Sequence, residues 1–82
     1  MFYFVIMEET EHPVIGFGLE YAGQLIYCEA LMKDDHYDVH FDGKWMAAIA
    51  HNDDWDWMQA SGVILPEVII AEIGSRIESH YQ

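Results

Sequence analysis

Tyr37-Asp38-Val39-His40-Phe41-Asp42-Gly43-Lys44-Trp45 is the stretch that decides the fold. Tyr37, Val39 and Phe41 alternate with Asp38 and His40, and His36 and Asp42 continue the polar set on either side. A period of two is the pattern of a half-buried strand. Asp42-Gly43 follows directly and separates two strand-like runs, a strong hairpin signal because both turn residues tolerate positive φ. The return strand over residues 44–51 then carries Trp45, Ala47 and Ile49 on one face and Met46, Ala48 and Ala50 on the other. Its alanines would also suit a helix, but the hairpin register favours strand.

Working outward, residues 24–32 place Ile26, Cys28, Ala30 and Met32 on one face and Leu25, Tyr27 and Leu31 on the other. Apolar residues on both faces describe an interior strand, covered on one side by a helix and on the other by a partner chain. Ala22-Gly23 turns this segment back onto residues 14–21, where Ile15, Phe17, Leu19 and Tyr21 alternate with Gly16, Gly18 and Glu20. Gly16 and Gly18 mark a bulge, a curved strand, or a place where a neighbouring side chain lies flat on the sheet. Residues 2–7, aromatic and β-branched, read as a first strand that stops at Glu8, Glu9 and Glu11 and then Pro13. Downstream, Asn52-Asp53-Asp54 is a turn, and residues 55–59 alternate as a short strand with Trp55 and Trp57 on one face. Ser61-Gly62 opens a connection.

Pro66 opens a helix expected over residues 66–81, because proline suits the first helical position and Glu67 complements the positive end of the dipole. Ile69, Ile70, Ile73, Ile77 and Tyr81 form an apolar stripe, with Glu72, Ser75, Ser79 and Gln82 facing away. Gly74 costs about 1 kcal/mol of helix stability relative to alanine, which points to close approach by a strand. The expected architecture is a single small α+β domain over residues 1–82. Its antiparallel β-sheet has about five or six strands, with one C-terminal α-helix packed on one face.

Composition bounds the function. The chain has 82 residues with 15 Asp and Glu against 3 Lys and Arg, a formal net charge of −12. Only Lys33, Lys44 and Arg76 are available to meet phosphate, which speaks against nucleic acid and against an anionic membrane. Hydrophobic residues make up 52% of the chain, more than so small a domain can place inside. A homo-oligomer, most simply a twofold dimer, is therefore expected. Cys28 is the only cysteine, so no intramolecular disulfide forms. The apolar amino terminus is short, lacks a basic flank and runs into acidic residues. The expectation is a cytoplasmic protein without a secretory signal or membrane span.

The candidate sites carry little diagnostic chemistry. His36, Asp38, His40 and Asp42 project from one face of a strand, with donor types suited to zinc, and are the only metal candidates; a solvated outer face explains them as well. Asp53, Asp54 and Asp56 suggest a calcium loop, but no starting point supplies both the central glycine and the final glutamate of an EF-hand. Trp55 and Trp57, interleaved with Asp54 and Asp56, are the interaction candidates, as aromatic residues with a polar tip are frequent at binding hot spots. Cys28 lies among apolar neighbours, where thiols are inert. Ser61, Ser75 and Ser79 lie in no nucleophile elbow, and there is no phosphate loop or dinucleotide fingerprint. No catalytic residue and no cofactor is expected. The composition suggests a non-enzymatic, self-associating protein-interaction domain. The alternative is an acidic mimic of DNA that meets a protein partner with a basic surface, although here the acids gather at turns.

Overall fold

The computed structural model describes residues 14–80. The strand expected over residues 2–7 and the end of the helix expected to run to residue 81 lie outside them. Five strands, β1 (Val14–Tyr21), β2 (Gln24–Met32), β3 (Tyr37–Phe41), β4 (Lys44–His51) and β5 (Trp57–Gly62), precede one helix, α1 (Glu67–His80). The strands form one antiparallel sheet in sequential order, so each pairs with its neighbour in the chain. The expected α+β architecture is the one observed.

Both short hairpins take the conformation that their residues predict. Ala22 and Gly23 have φ of 53° and 79°, and Asp42 and Gly43 have 51° and 87°. Two consecutive positive φ values match the right-handed twist of the flanking strands. The third turn is different: Asn52 accepts hydrogen bonds through Oδ1 from the backbone N–H of Asp54 at 2.8 Å and of Asp56 at 2.9 Å. Its carbonyl accepts a third from Trp55 N–H at 3.0 Å. This Asx turn holds Trp55 at φ 65°, outside any strand. The strand expected over residues 55–59 therefore begins at Trp57 and continues through Ser61-Gly62, which close β5.

Two bulges change which way side chains point. Between Val39 and His40 the β3–β4 register shifts, so that Val39 faces Ala47 while His40 faces Trp45. Met46 is the additional residue. A bulge places two residues of one strand opposite one of the other, so Trp45 is sent to the face opposite Ala47 and Ile49. The expectation that Trp45, Ala47 and Ile49 share a face is corrected here. A second shift, between Ala48 and Ile49, sets Ala48 against Ser61 and Ile49 against Gln59.

α1 packs on the face that carries Ile15, Leu19, Cys28, Ala30, Val39, Phe41, Ala47 and Ile49, and contributes Ile70, Ile73 and Ile77 to the same core. The helix starts one residue later than the proline alone suggests. The Pro66 carbonyl accepts from Ile69 N–H at 3.0 Å and Ile70 N–H at 3.1 Å, which makes Pro66 the capping residue. Gly74 is buried against the Trp57 ring, and a Cβ there would overlap the indole. The close approach expected at Gly74 is thus to the β5 tryptophan. α1 contacts both β5 and β1, the two edges of the sheet, so the sheet curls around the helix, as its bulges favour.

Candidate functional site

The pleat sends every second side chain to the face without the helix. Val14, Leu25, Tyr27, Trp45 and Met58 lie there, and all five are exposed large apolar residues. Trp45 is 43% exposed, Met58 48% and Tyr27 52%, so this face presents apolar area to solvent on both sides of β3, which contributes Asp38 and His40 there. Tyr27 stands opposite Gly18 and lies across Gly16, where a Cβ would collide with its phenol ring. Of the three explanations for Gly16, the flat-lying neighbour is the one found. No element among the described residues covers this face.

Polar groups on the open face hold one another. His36 Nδ1 contacts Asp35 Oδ1 at 2.7 Å, and His36 Nε2 contacts Asp38 Oδ1 at 3.2 Å. Trp45 Nε1 donates to the same Asp38 oxygen at 3.2 Å. The hydrogen bond to Asp35 raises the His36 pKa above its ordinary value, desolvation opposes it, and the charge of Asp38 adds to the rise. The same hydrogen bond lowers the pKa of Asp35. Asp42 sits in the hairpin turn: its Oδ1 accepts from Tyr27 N–H at 2.9 Å, and its own N–H donates to the Tyr27 carbonyl at 2.7 Å. His40 stands between Glu29 and Trp45, with Nδ1 buried and unpaired. Of the four metal candidates, the structure brings His36 and Asp38 together, leaves His40 apart and commits Asp42 to the backbone. Among the described residues no three His, Cys, Asp or Glu side chains are grouped to hold a metal ion.

The two tryptophans of the interaction candidate separate. Trp55 is 75% exposed on the turn. Trp57 is half-buried between sheet and helix, and its Nε1 donates to Glu78 Oε2 at 2.8 Å. His51 lies between them, with ring centroids 3.9 Å from Trp57 and 5.2 Å from Trp55, and Tyr37 meets Trp57 at 5.8 Å. Trp57 is thus a structural pin between β5 and α1, and Trp55 is the one open to solvent.

Between the outer edge of β5 and one flank of α1 runs a groove with a volume of about 920 Å³. Gln59 shapes its far end. Its Nε2 donates to the carbonyls of Ser61 at 3.1 Å and Val63 at 2.6 Å, and its Oε1 accepts from Leu65 N–H at 3.0 Å. Three bonds from one amide pin the connection that leads into the helix. The groove escapes sequence inspection because neither strand nor helix alone announces it; the small residues Ala71 and Ser75 on the exposed side of α1 are its one trace.

The turns on either side of His51 set the electrostatics. In a meander the β2–β3 and β4–β5 turns fall at the same end of the sheet, so Asp34, Asp35, Asp53, Asp54 and Asp56 converge there. Glu78 and the negative end of the α1 dipole join them. Cys28 is a free, buried thiol. It is buried against Phe17 and Phe41 in the ladder, where burial, and secondarily the charge of Glu29, pushes its pKa up to about 12. Among the described residues no helix is long and apolar enough to cross a membrane. Compared with protein-family models, curated proteins and solved structures, the chain matches none.

Proposed function

We propose that the protein is a small, non-enzymatic interaction module that associates with a second copy of itself through the helix-free face of its sheet. The observation that supports this is the collection of Val14, Leu25, Tyr27, Trp45 and Met58 as exposed side chains on one face. Exposed apolar surface gathered on one face marks an association site. Five strands spaced about 4.8 Å and running about 26 Å give a face on the order of 600 Å², close to the ~800 Å² per partner of a standard interface. The Asp38 carboxylate, already held by His36 and Trp45, can enter such an interface without standing alone.

Charge makes the reading testable. Copies that each carry −12 repel, and raising salt to physiological strength shortens the screening length to about 8 Å. Self-association should therefore strengthen with salt. Light scattering behind a sizing column, at tens of micromolar protein, reads the mass directly. Trp45→Lys or Tyr27→Lys should shift the mass towards monomer. A monomer at every salt concentration sinks the proposal. The acidic-mimic alternative requires the opposite salt dependence, namely binding to a basic protein that weakens as salt rises.

A further inference from the structure

We infer that the groove between β5 and α1 takes an extended, lysine- or arginine-bearing peptide segment that adds as a strand to the outer edge of β5. β5 is the last strand of the sheet and, among the described residues, pairs only with β4. Its outer backbone groups are therefore a template for a further strand. Edges of this kind are usually blunted by lysine, by proline or by a covering element. Residues 57–62 contain neither lysine nor proline; the bulge leaves Ala60 alone unpaired within the strand, and α1 and β5 together line the groove.

The helix flank supplies the side-chain code. Glu67, Ala71, Ser75 and Glu78 recur at spacings of four, four and three, so they form one stripe along α1, and all four line the groove. The stripe has an acid at each end and small residues between. At about 1.5 Å per residue its two glutamates are roughly 16 Å apart. Alternate residues of an added strand point to the same face about 6.7 Å apart, so two cationic side chains four positions apart span about 13 Å. Their length covers the remainder. The side chain midway between them falls over Ala71 and Ser75, where an apolar group has room. The pattern selected is cation, any residue, apolar, any residue, cation.

Charge complementarity decides between occupants. Asp56, Glu67 and Glu78 line the groove and no lysine or arginine does. Arg76 lies on the opposite flank, bound to Glu72 at 3.1 Å and stacked over Phe17. A second copy paired edge to edge would bring two sets of these acids into one groove. A cationic segment neutralises them instead. This surface shares Met58 with the open sheet face, but its helix flank does not belong to that face, so shifts on Glu67, Ala71 and Ser75 separate it from the self-association reading.

The probe is the peptide acetyl-Thr-Lys-Thr-Val-Thr-Lys-Thr-amide, titrated into the whole chain and followed by amide chemical shifts and calorimetry. The expected shifts fall on residues 57–62 and on Glu67, Ala71, Ser75 and Glu78. Affinity should fall several-fold between low and high salt. Ala71→Trp, at an exposed helix position, fills the groove and should weaken binding at least about tenfold, because the midway side chain then has no room. Glu67→Gln removes one charge and should weaken it about two- to five-fold, as exposed charge pairs do. The same peptide with glutamate in place of lysine should not bind, and N-methylation of the amides that face β5 should abolish binding. The inference is overturned if the lysine peptide shifts no β5 amide at low salt, if Ala71→Trp leaves its affinity unchanged, or if the glutamate peptide binds equally well. It also falls if the amides of Glu67, Ala71 and Ser75, on the helix flank away from the open sheet face, shift with protein concentration alone, which would make a second copy the occupant.

Discussion

The two faces of this sheet are built from the same strands by the same alternation and end in opposite states. On the covered face Cys28, Val39, Ala47 and Ile49 are fully buried beneath Ile73 and Ile77. On the open face Tyr27, Trp45 and Met58 stay about half exposed. The difference arises from the covering element, not from the strands, because one fourteen-residue helix closes only one side. Among the described residues, the core beneath the helix holds no buried polar or charged residue, and the polar His51 and Gln59 lie at its margin. The open face mixes its aromatics with a hydrogen-bonded set, Asp35, His36, Asp38 and Trp45. A face with both features suits a partner that arrives and leaves, whereas the covered face is the permanent core.

The largest effect that tests this contrast is a pair of truncations. Ile73 is fully buried, so Ile73→Ala should cost about 3 kcal/mol, the lost transfer energy plus a cavity. Trp45→Ala removes a larger side chain that is still 43% exposed, and should cost about 1 kcal/mol in the monomer. In a domain this small each kcal/mol is worth about 4–8 °C in Tm, so thermal denaturation at low protein concentration separates the two. Equal losses would mean that the open face is as much core as the covered one.

A smaller effect with a less intuitive sign is expected at Gly74. Alanine is the better helix former by about 1 kcal/mol, yet its Cβ would overlap the Trp57 ring, which Glu78 holds in place. Overpacking costs about 1–3 kcal/mol, so Gly74→Ala should destabilise by about 1 kcal/mol net in chemical denaturation. Stabilisation by this variant would show that Trp57 moves freely and that the contact of β5 with the helix is loose.

The contrast between the faces was partly legible in the chain. Asp42-Gly43 and Ala22-Gly23 set the hairpins because their backbone preferences are local, and the helix stripe follows from spacing alone. The bulge at Val39 and His40 is not local. It is set by how two strands meet, and it moves Trp45 from the expected inner face to the open one. Trp55 was misplaced for a related reason. The alternation of Trp55 and Trp57 imitates a strand, but the Asn52 side chain captures two backbone N–H groups and turns the chain before the ladder begins. The groove beside β5 has no sequence signature, since it needs the strand edge and the helix flank together.

His40 sharpens the comparison with the opposite sign. Its Nδ1 is buried on the open face without a partner, and such an atom keeps its desolvation cost of about 1–3 kcal/mol. His40→Ile removes that atom, supplies a β-branched strand former and should stabilise the monomer by about 1 kcal/mol. A loss of stability would mean that His40 has a partner in solution, with a second copy as the first candidate to examine.

The smallest effect is electrostatic and belongs to the open face alone. His36 has its pKa raised by the hydrogen bond to Asp35, so its contribution is complete below its ordinary value near 6.5 and is lost as pH rises through the higher folded value. Asp35 has its pKa lowered by the same bond, so its contribution is present above its ordinary value near 3.8 and is lost as pH falls through the lower folded value. The pair therefore supports the fold most between about pH 4 and 6.5 and fades as pH rises through the raised His36 value. Asp35 is 87% exposed, and solvent screening keeps the effect on stability small. The measurement that resolves it is a proton NMR titration of the histidines. His36 should titrate above pH 6.5, and Asp35→Asn should bring it back down. An unchanged His36 titration in that variant would assign the rise to Asp38 instead and tie the histidine to Trp45 and the open face rather than to the turn.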